Sequence, residues 1–283
     1  MVAGALVVLA AAAPARAQPV PSQPLSYPQD SGSAFLRFFQ NGEWYFSIGT
    51  NKEYWAPTNI TVSQPSLGNN FTVYSVQGHD APAGAGEAPQ FNVRVGRFFT
   101  ENFGMELSLD HSKYFTNIGQ TAQVIGTIGG LPVNASSQLS NTFFSEVLHN
   151  GANHVMVDAV YRFPLIGKTN ETLSVAGIVK AGVGVMLPHT SDTILGNPVD
   201  VGTKSFDNLI GLHNGWWQLN GWTTGAELGF RVVLFKPVYL ELTDKVAYSY
   251  FGDLPAYQGT LQQSLWMNEV ILSLGFTYDG TSK

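Results

Sequence analysis

The feature that most constrains this chain is a series of short segments in which apolar and polar residues alternate. In one of them Trp44, Phe46 and Ile48 alternate with polar or small residues, and residues 225–232 show the same period of two. Successive side chains of a β-strand point to opposite faces, so each segment has one apolar and one polar face. We predict eight such strands, each long enough to cross a hydrocarbon layer when tilted. They are residues 43–54, 90–99, 104–115, 154–165, 173–186, 222–235, 238–250 and 265–278.

The connections between these strands alternate in length. Strands two and three, four and five, and six and seven are joined by short turns, whereas residues 55–89, 116–153, 187–221 and 251–264 form long connections. A soluble β-sandwich also has alternating apolar and polar residues, but its connections are not expected to alternate between short and long. Both termini fall on the short-turn side, as in barrels of outer membranes. We therefore predict an all-β fold, an eight-stranded antiparallel up-and-down transmembrane β-barrel with short periplasmic turns and long extracellular loops.

The predicted domain organisation places one barrel after a leader. Residues 2–13 are an uncharged apolar run, followed by Pro14 and the small-x-small tripeptide at 15–17, which indicates a signal peptide over residues 1–17. An alanine-rich leader without a targeting role is the alternative. Residues 18–42 are predicted as a periplasmic lead-in, in which 31–41 form a short interfacial helix or simply continue strand one. The barrel covers 43–278 and a tail covers 279–283.

Composition excludes several classes of function. The formal net charge of -6 argues against a nucleic-acid partner, and the absence of cysteine excludes thiolate chemistry and disulfides. No His-x-His spacing is present, and metal ligands would have to come from different loops, so we predict no metal site. We also predict no cofactor.

Aromatic residues cluster at both ends of the predicted strands. One cluster, at the short turns, includes Trp44, Phe98, Tyr161, Phe235 and Tyr239; the other, at the long loops, includes Tyr54, Trp55, Trp222, Tyr248, Tyr250 and Trp266. Such clusters are typical of the interfacial girdles of membrane barrels. In the last strand, outward apolar residues alternate with others up to the aromatic Tyr278. The strand therefore looks like the aromatic-ended closing strand by which such barrels are recognised for insertion.

By its eight strands, leader, girdles and closing strand, the chain resembles the small eight-stranded outer-membrane β-barrel superfamily. That superfamily includes the transmembrane domain of outer membrane protein A and the lipid A-modifying barrel enzymes. The resemblance implies the outer membrane of a Gram-negative bacterium, with outer-membrane lipid and lipopolysaccharide as partners. It favours surface contact or envelope support, with a protein or small-molecule ligand at the loops. A lipid A-modifying acyl hydrolase or acyltransferase is one alternative, and a narrow channel for small solutes is another.

The inward face of the predicted barrel carries charges of both signs. Counting from the short turn at 235–237, Arg231 faces Glu241 and Glu227 faces Lys245. By the same construction Asp158 faces Lys180, and Arg94 faces Ser108 or Asp110. Because unpaired charge in a narrow lumen is costly, we predict an ion-paired plug, with a gated ion path as the alternative. One acid, Asp244, falls on the outward face.

All six histidines fall in the loop-side half of the predicted barrel. His154, Asp110 and Ser112 alternate inward on neighbouring strands, so they are the candidate base, orienting acid and nucleophile of an acyl-transfer site. Further candidates in the loops are His79, Asp80, His149 and His189. In the first long loop, residues 59–63 and 70–76 flank a turn and predict a hairpin above the membrane.

Overall fold

The computed structural model describes residues 42–81, 90–169, 171–200, 208–212 and 215–279. The predicted signal peptide, residues 18–41 of the lead-in and residues 280–283 of the tail lie outside the described residues. Among the described residues, no helix is long and apolar enough to cross a membrane. Eight long antiparallel strands form the main body: β1 (Glu43–Trp55), β2 (Phe91–Phe98), β3 (Phe103–Thr116), β4 (Phe144–Ile166), β5 (Ser174–Pro188), β6 (Trp222–Phe235), β7 (Val238–Ala256) and β8 (Gly259–Asp279).

These strands close into a barrel. Each strand pairs with its neighbours along the chain, and the first pairs with the last, from Glu43 opposite Asp279 to Trp55 opposite Met267. Closure leaves no unpaired edge within the membrane, where backbone groups have no water to bond. The predicted eight-stranded antiparallel barrel is confirmed.

The barrel has an apolar outside and a charged inside. On β8 the outward Val270, Leu272, Leu274 and Phe276 are 40–48% exposed, whereas the inward Glu269 is fully buried. The outward aromatic residues Tyr54, Trp222 and Tyr278 lie near the ends of their strands. Two residues assigned to the turn-side girdle, Phe98 and Tyr239, instead point into the lumen. They are at most 1% exposed, because each falls on the inward parity of its strand.

The connections differ from the prediction on the loop side. β4 begins at Phe144, well before the predicted residue 154, and β7 and β8 continue into a two-residue turn at Tyr257 and Gln258. The predicted fourth long loop, 251–264, is therefore wrong. The β7–β8 ladder persists there because alternate residues, among them Phe251 and Leu261, are buried.

The loops form an extra sheet that grows from β8, here called the loop-side sheet. Thr58–Gln64 pairs with β8, Asn69–Val76 with Thr58–Gln64, Thr121–Ile128 with Asn69–Val76, and Leu131–Gln138 with Thr121–Ile128. The predicted hairpin of the first loop is thus confirmed. Shorter strands are Gly78–His79, Ser191–Ile194, Asn197–Asp200, Ile210–Gly211 and Trp217–Gln218.

This loop-side region has its own hydrophobic core. Buried residues from the loop-side sheet pack against buried residues from the loop-side parts of β3, β4, β7 and β8. The core includes Ile60, Phe71, Val124, Leu139, Phe144, Ile194, Phe251 and Leu261. A second cluster, with Tyr45, Phe98, Val160 and Ile178, lies inside the barrel. The two clusters separate the molecule into a membrane barrel and a packed structure at its loop side.

Candidate functional site

The turn-side end of the lumen is built around Arg231. Its guanidinium carbon lies 4.5 Å from the ring centre of Tyr45 and 4.1 Å from that of Tyr239, and its Nη2 is 2.6 Å from Glu241 Oε2. Aromatic faces and a carboxylate thus stabilise the same buried cation. Tyr45 occupies the space over Gly96, where a Cβ would lie 2.1 Å from the ring. Glycine at that position therefore makes room for the ring that holds Arg231.

The middle of the lumen is organised by Lys180. Its Nζ lies 2.7 Å from Glu241 Oε1, 3.0 Å from Glu106 Oε1 and 3.1 Å from Glu227 Oε1. The lysine side chain is 1% exposed and none of the three carboxylates exceeds 5%. A single ammonium group therefore holds three buried acids from β3, β6 and β7.

The network continues toward the loop side through Arg94 and Lys245. Arg94 lies 3.0 Å from Asp110 Oδ1 and 3.2 Å from Glu106 Oε1. Lys245 Nζ lies 2.5 Å from Asp110 Oδ2 and 3.7 Å from Glu269 Oε2. Burying an unpaired charge is costly, and shared partners give each of the four cations of this network a carboxylate oxygen at 2.5–3.0 Å. The chain of contacts runs Arg231, Glu241, Lys180, Glu106, Arg94, Asp110, Lys245 and Glu269.

Two of the predicted pairs are not formed. The register of β6 and β7 places Glu227 opposite Lys245, but Glu227 turns toward Lys180 and Lys245 turns toward Asp110. In a narrow barrel, long side chains reach across the lumen as easily as to the adjacent strand. The prediction that Asp158 faces Lys180 is wrong.

The error lies in the register of β4 and β5. Val175 pairs with Ile166 and, after a bulge, Ala176 pairs with Pro164, so the turn between these strands lies later in the chain than predicted and Asp158 faces Gly182. Asp158 accepts a hydrogen bond from Ser108 Oγ at 2.7 Å. Arg94, whose partner was left open, lies opposite Ser108 in the register.

The candidate catalytic residues lie close together but are not joined as a triad. His154 is opposite Asp110 across β3 and β4, yet its Nδ1 lies 3.1 Å from Thr223 Oγ1. Asp110 is engaged by two cations of the network. Within the described residues, neither His154 Nε2 nor Ser112 Oγ has a hydrogen-bond partner, and no hydrogen bond joins the histidine to the serine. Both residues are at most 1% exposed.

The loop candidates His79 and Asp80 are held by other groups. His79 Nδ1 is 2.5 Å from Asn117 Oδ1, and its ring stacks on Phe115 with centres 5.7 Å apart. Asp80 forms an ion pair of 2.5 Å with Lys52 and accepts a hydrogen bond from the backbone N–H of Glu53. Their described contacts tie the first loop to β1 and β3.

The other two loop histidines, His149 and His189, are neighbours. Their rings meet edge to face with centres 5.5 Å apart, and His189 also packs on Trp216 at 4.2 Å. His189 Nε2 lies 2.9 Å from Asp200 Oδ1, and its Nδ1 lies 2.5 Å from the Trp216 carbonyl oxygen. In the part of the chain that the structure describes, no group of three or more histidine or acidic side chains is arranged to hold a metal ion.

The sequence does not reveal a buried pair of acids in the loop-side core. Glu146 on β4 faces Asp192 across the pairing of β4 with Ser191–Ile194, and the two are 0% and 3% exposed. Glu146 Oε1 accepts a hydrogen bond from Gln263. Burial and then the neighbouring Asp192 raise the pKa of Glu146 well above its usual range, and burial likewise raises the pKa of Asp192. Local patterning gives no signal because the two residues lie in different loop-side segments.

This pair predicts that the loop-side core becomes less stable as pH rises. Because both folded-state pKa values are raised, the stabilisation is fully present below the unfolded value of about 4 and is lost as pH rises through the folded values. We expect the opening free energy of residues 144–147 and 191–194, measured by hydrogen exchange, to fall between pH 4 and pH 8. Glu146→Gln with Asp192→Asn should abolish that fall, whereas Glu171→Gln, in an exposed turn, should not. A pH-independent opening free energy in the unmodified protein would contradict the prediction.

The outward acid Asp244 has a local partner. Its side chain is exposed on β7 and accepts a hydrogen bond from the Asn268 amide on β8. The amide donor lowers the cost of an acid on the outer wall of the barrel, where acids are in any case penalised less than bases.

Three solved structures of outer-membrane proteins are similar to this chain at low sequence identity. The outer membrane protein OprG from Pseudomonas aeruginosa is 11% identical, with 84% of this chain and 97% of that chain covered and a TM-score of 0.33. Neisserial surface protein A is 10% identical, with coverage of 84% and 97% and a TM-score of 0.35. Outer membrane protein AlkL is 12% identical, with coverage of 93% and 96% and a TM-score of 0.36. No protein-family model matches the chain, and no curated protein matches it either.

The closed barrel with its apolar outside and charged inside decides the fold. The chain folds as a small β-barrel of the outer-membrane type. Barrels of this construction occur in the outer membranes of Gram-negative bacteria. In this barrel, the network of ion pairs lies inside the eight strands and the loop-side sheet extends from β8 at their loop end.

Proposed function

We propose that the protein is a surface-contact barrel whose lumen is plugged by ion pairs and whose loop-side sheet faces the cell exterior. The observation that carries the proposal is the last strand of that sheet, Leu131–Gln138. Among the described residues its only strand partner is Thr121–Ile128, and most of its residues are exposed. An open edge of this kind offers unpaired backbone groups to an extended segment of another molecule.

The direction of the backbone groups supports this role. Leu139 donates its N–H to the Gln120 carbonyl oxygen, so it faces the partner strand. Residues of an antiparallel strand alternate in this respect, so Asn134 and Ser136 direct their backbone N–H groups to the open edge. Pro132, which lacks an N–H, falls on the same open-edge parity. The edge thus combines free backbone donors with short, uncharged side chains.

The lumen supports a role without transport or catalysis. The network from Arg231 to Glu269 fills the interior with paired charges, and an eight-stranded barrel is only wide enough for its own side chains. Asp110, which an acyl-transfer site would use to orient His154, is engaged by Arg94 and Lys245. We therefore propose contact rather than chemistry, with the lipid and lipopolysaccharide of the membrane as partners of the outer wall.

The proposal predicts that cells displaying the protein aggregate through the open edge. The same edge on a second copy is an extended segment available on every such cell. Ser136→Pro removes an edge N–H without removing a ladder bond, so it should reduce aggregation to the level of cells lacking the protein. The control Ser66→Ala lies in the turn of the first-loop hairpin, outside the open-edge strand, and should leave aggregation unchanged. Aggregation is measured by sedimentation of suspended cells, with surface levels matched.

Two outcomes would contradict the contact role. One is sedimentation of displaying cells that equals that of cells without the protein. The other is aggregation that Ser136→Pro leaves intact although the variant still shifts its gel mobility on boiling, as a folded barrel does.

A further inference from the structure

The outer wall of the barrel carries a groove in the loop-side half of the β7–β8 hairpin. It has a volume of about 350 Å³ and lies where β1 passes into the strand Thr58–Gln64. The ladder to β8 changes register there, from Trp55 opposite Met267 to Ile60 opposite Gln263. This irregularity makes the outer wall concave at one place.

One side of the groove is aromatic. Tyr248, Tyr250 and Trp266 line it from β7 and β8, and Trp266 is 55% exposed. The rings of Tyr248 and Trp266 are 5.1 Å apart between centres, and Trp222 packs on Tyr248 from the other side at 5.5 Å. Exposed, braced rings present flat apolar faces to a ligand at little entropic cost.

The other side of the groove carries amides and hydroxyls. Asn59, Thr61, Gln262 and Ser264 line it, and internal hydrogen bonds hold their side chains. Gln262 donates to Tyr250 Oη at 2.7 Å, and Asn59 Oδ1 accepts from the backbone N–H of Ser75 at 2.9 Å. Within the described residues, these bonds leave the Asn59 amide nitrogen and the Gln262 carbonyl oxygen available as a donor and an acceptor.

The chemistry of this lining selects a class of ligand. No charged side chain of the described residues lines the groove, which disfavours phosphate and carboxylate groups. The amides disfavour an acyl chain, which would leave them unpaired. A sugar ring has an apolar C–H face to lie on an aromatic ring and hydroxyls that both donate and accept hydrogen bonds. From the geometry we infer that the groove is a binding site for a neutral saccharide.

The position of the groove identifies the source of that saccharide. Its aromatic residues, together with Gln262 and Ser264, lie on the outward parity of β7 and β8, so the groove opens sideways toward the surrounding leaflet. The neutral sugars available there are those of the glycolipid of that leaflet, the hexoses of the outer core of lipopolysaccharide. This assignment rests on the proposed exterior position of the loop-side sheet, but not on the open edge or the plugged lumen.

The test measures binding of dephosphorylated core oligosaccharide to the full chain in detergent micelles by calorimetric titration. Trp266→Leu removes the ring but keeps an apolar residue at the girdle, and it should weaken binding roughly tenfold or more. Tyr54→Leu, an equally outward aromatic residue on β1 that does not line the groove, is the matched control and should bind as the unmodified protein does. Boiling-dependent gel mobility verifies that both variants are folded.

A second pair of variants keeps the test decisive if the tryptophan variant does not fold. Gln262→Ala should also weaken binding, whereas Gln258→Ala, on the turn of the same hairpin, should not. The inference is overturned if the oligosaccharide does not bind, or if neither groove variant weakens binding. It is also overturned if lipid A without core sugars competes fully, or if a soluble neutral glucan binds more tightly than the core. None of these outcomes alters the aggregation expected from the open edge, so the two proposals fail separately.

Discussion

Replacing Lys180 by methionine is expected to lower the free energy of unfolding by about 3–5 kcal/mol, the cost of leaving buried charges without their partner. Three acids, Glu106, Glu227 and Glu241, converge on its ammonium group at 2.7–3.1 Å. Methionine keeps the unbranched chain of lysine apart from its terminal atom, so the effect reports mainly the loss of the charge. The measurement is a urea titration of the detergent-folded barrel followed by gel mobility.

Lys168→Met is the matched control for this change. Lys168 is 84% exposed and lies 3.9 Å from Glu171 in a turn, so its replacement should change the free energy of unfolding by less than about 0.5 kcal/mol. Equal effects of the two substitutions would contradict a stabilising lumen network. The same purified protein should not conduct steadily in planar bilayers, and steady conduction by the unmodified chain would contradict the plug.

Replacing Phe144 by alanine is expected to lower the opening free energy of the loop-side sheet by about 3–5 kcal/mol. Phe144 is fully buried in the loop-side core, which is separate from the cluster inside the barrel. The loss should therefore appear as faster hydrogen exchange in residues 69–76 and 121–128, while residues 225–232 of β6 keep their protection.

Leu131→Ala provides the comparison for Phe144→Ala. Leu131 is 71% exposed at the tip of its hairpin, so its truncation leaves no cavity and should hardly change exchange rates. Loss of protection throughout the barrel in Phe144→Ala would show that the two cores unfold together, contrary to the expectation.

The barrel can be predicted from the sequence because its determinants are local. A period of two needs only neighbouring residues, and connection length is counted directly, so eight strands and their order follow without knowledge of packing. The facing of Arg231 and Glu241 follows in the same way, because both are counted outward from one short turn.

The remaining features depend on turn positions and tertiary contacts that a local sequence pattern does not indicate. The turn between β4 and β5 lies later in the chain than predicted, which displaces Lys180 from Asp158, and the glycine, acid and proline at 252, 253 and 255 suggest a loop where the ladder in fact continues. Glu146 and Asp192 meet only because β4 extends beyond the membrane and a strand of the third loop returns to it. Such contacts arise from the tertiary structure of the loops, which composition describes poorly.

The length of β8 has a mechanical consequence. This strand runs without interruption for 21 residues, roughly 70 Å at the usual rise, and carries the loop-side sheet at one end and the closure with β1 at the other. A pull on the sheet is therefore transmitted along the strand axis and loads many ladder hydrogen bonds in parallel, as shear, rather than opening them one after another. The barrel should therefore resist a pulling force that is applied to the loop-side sheet.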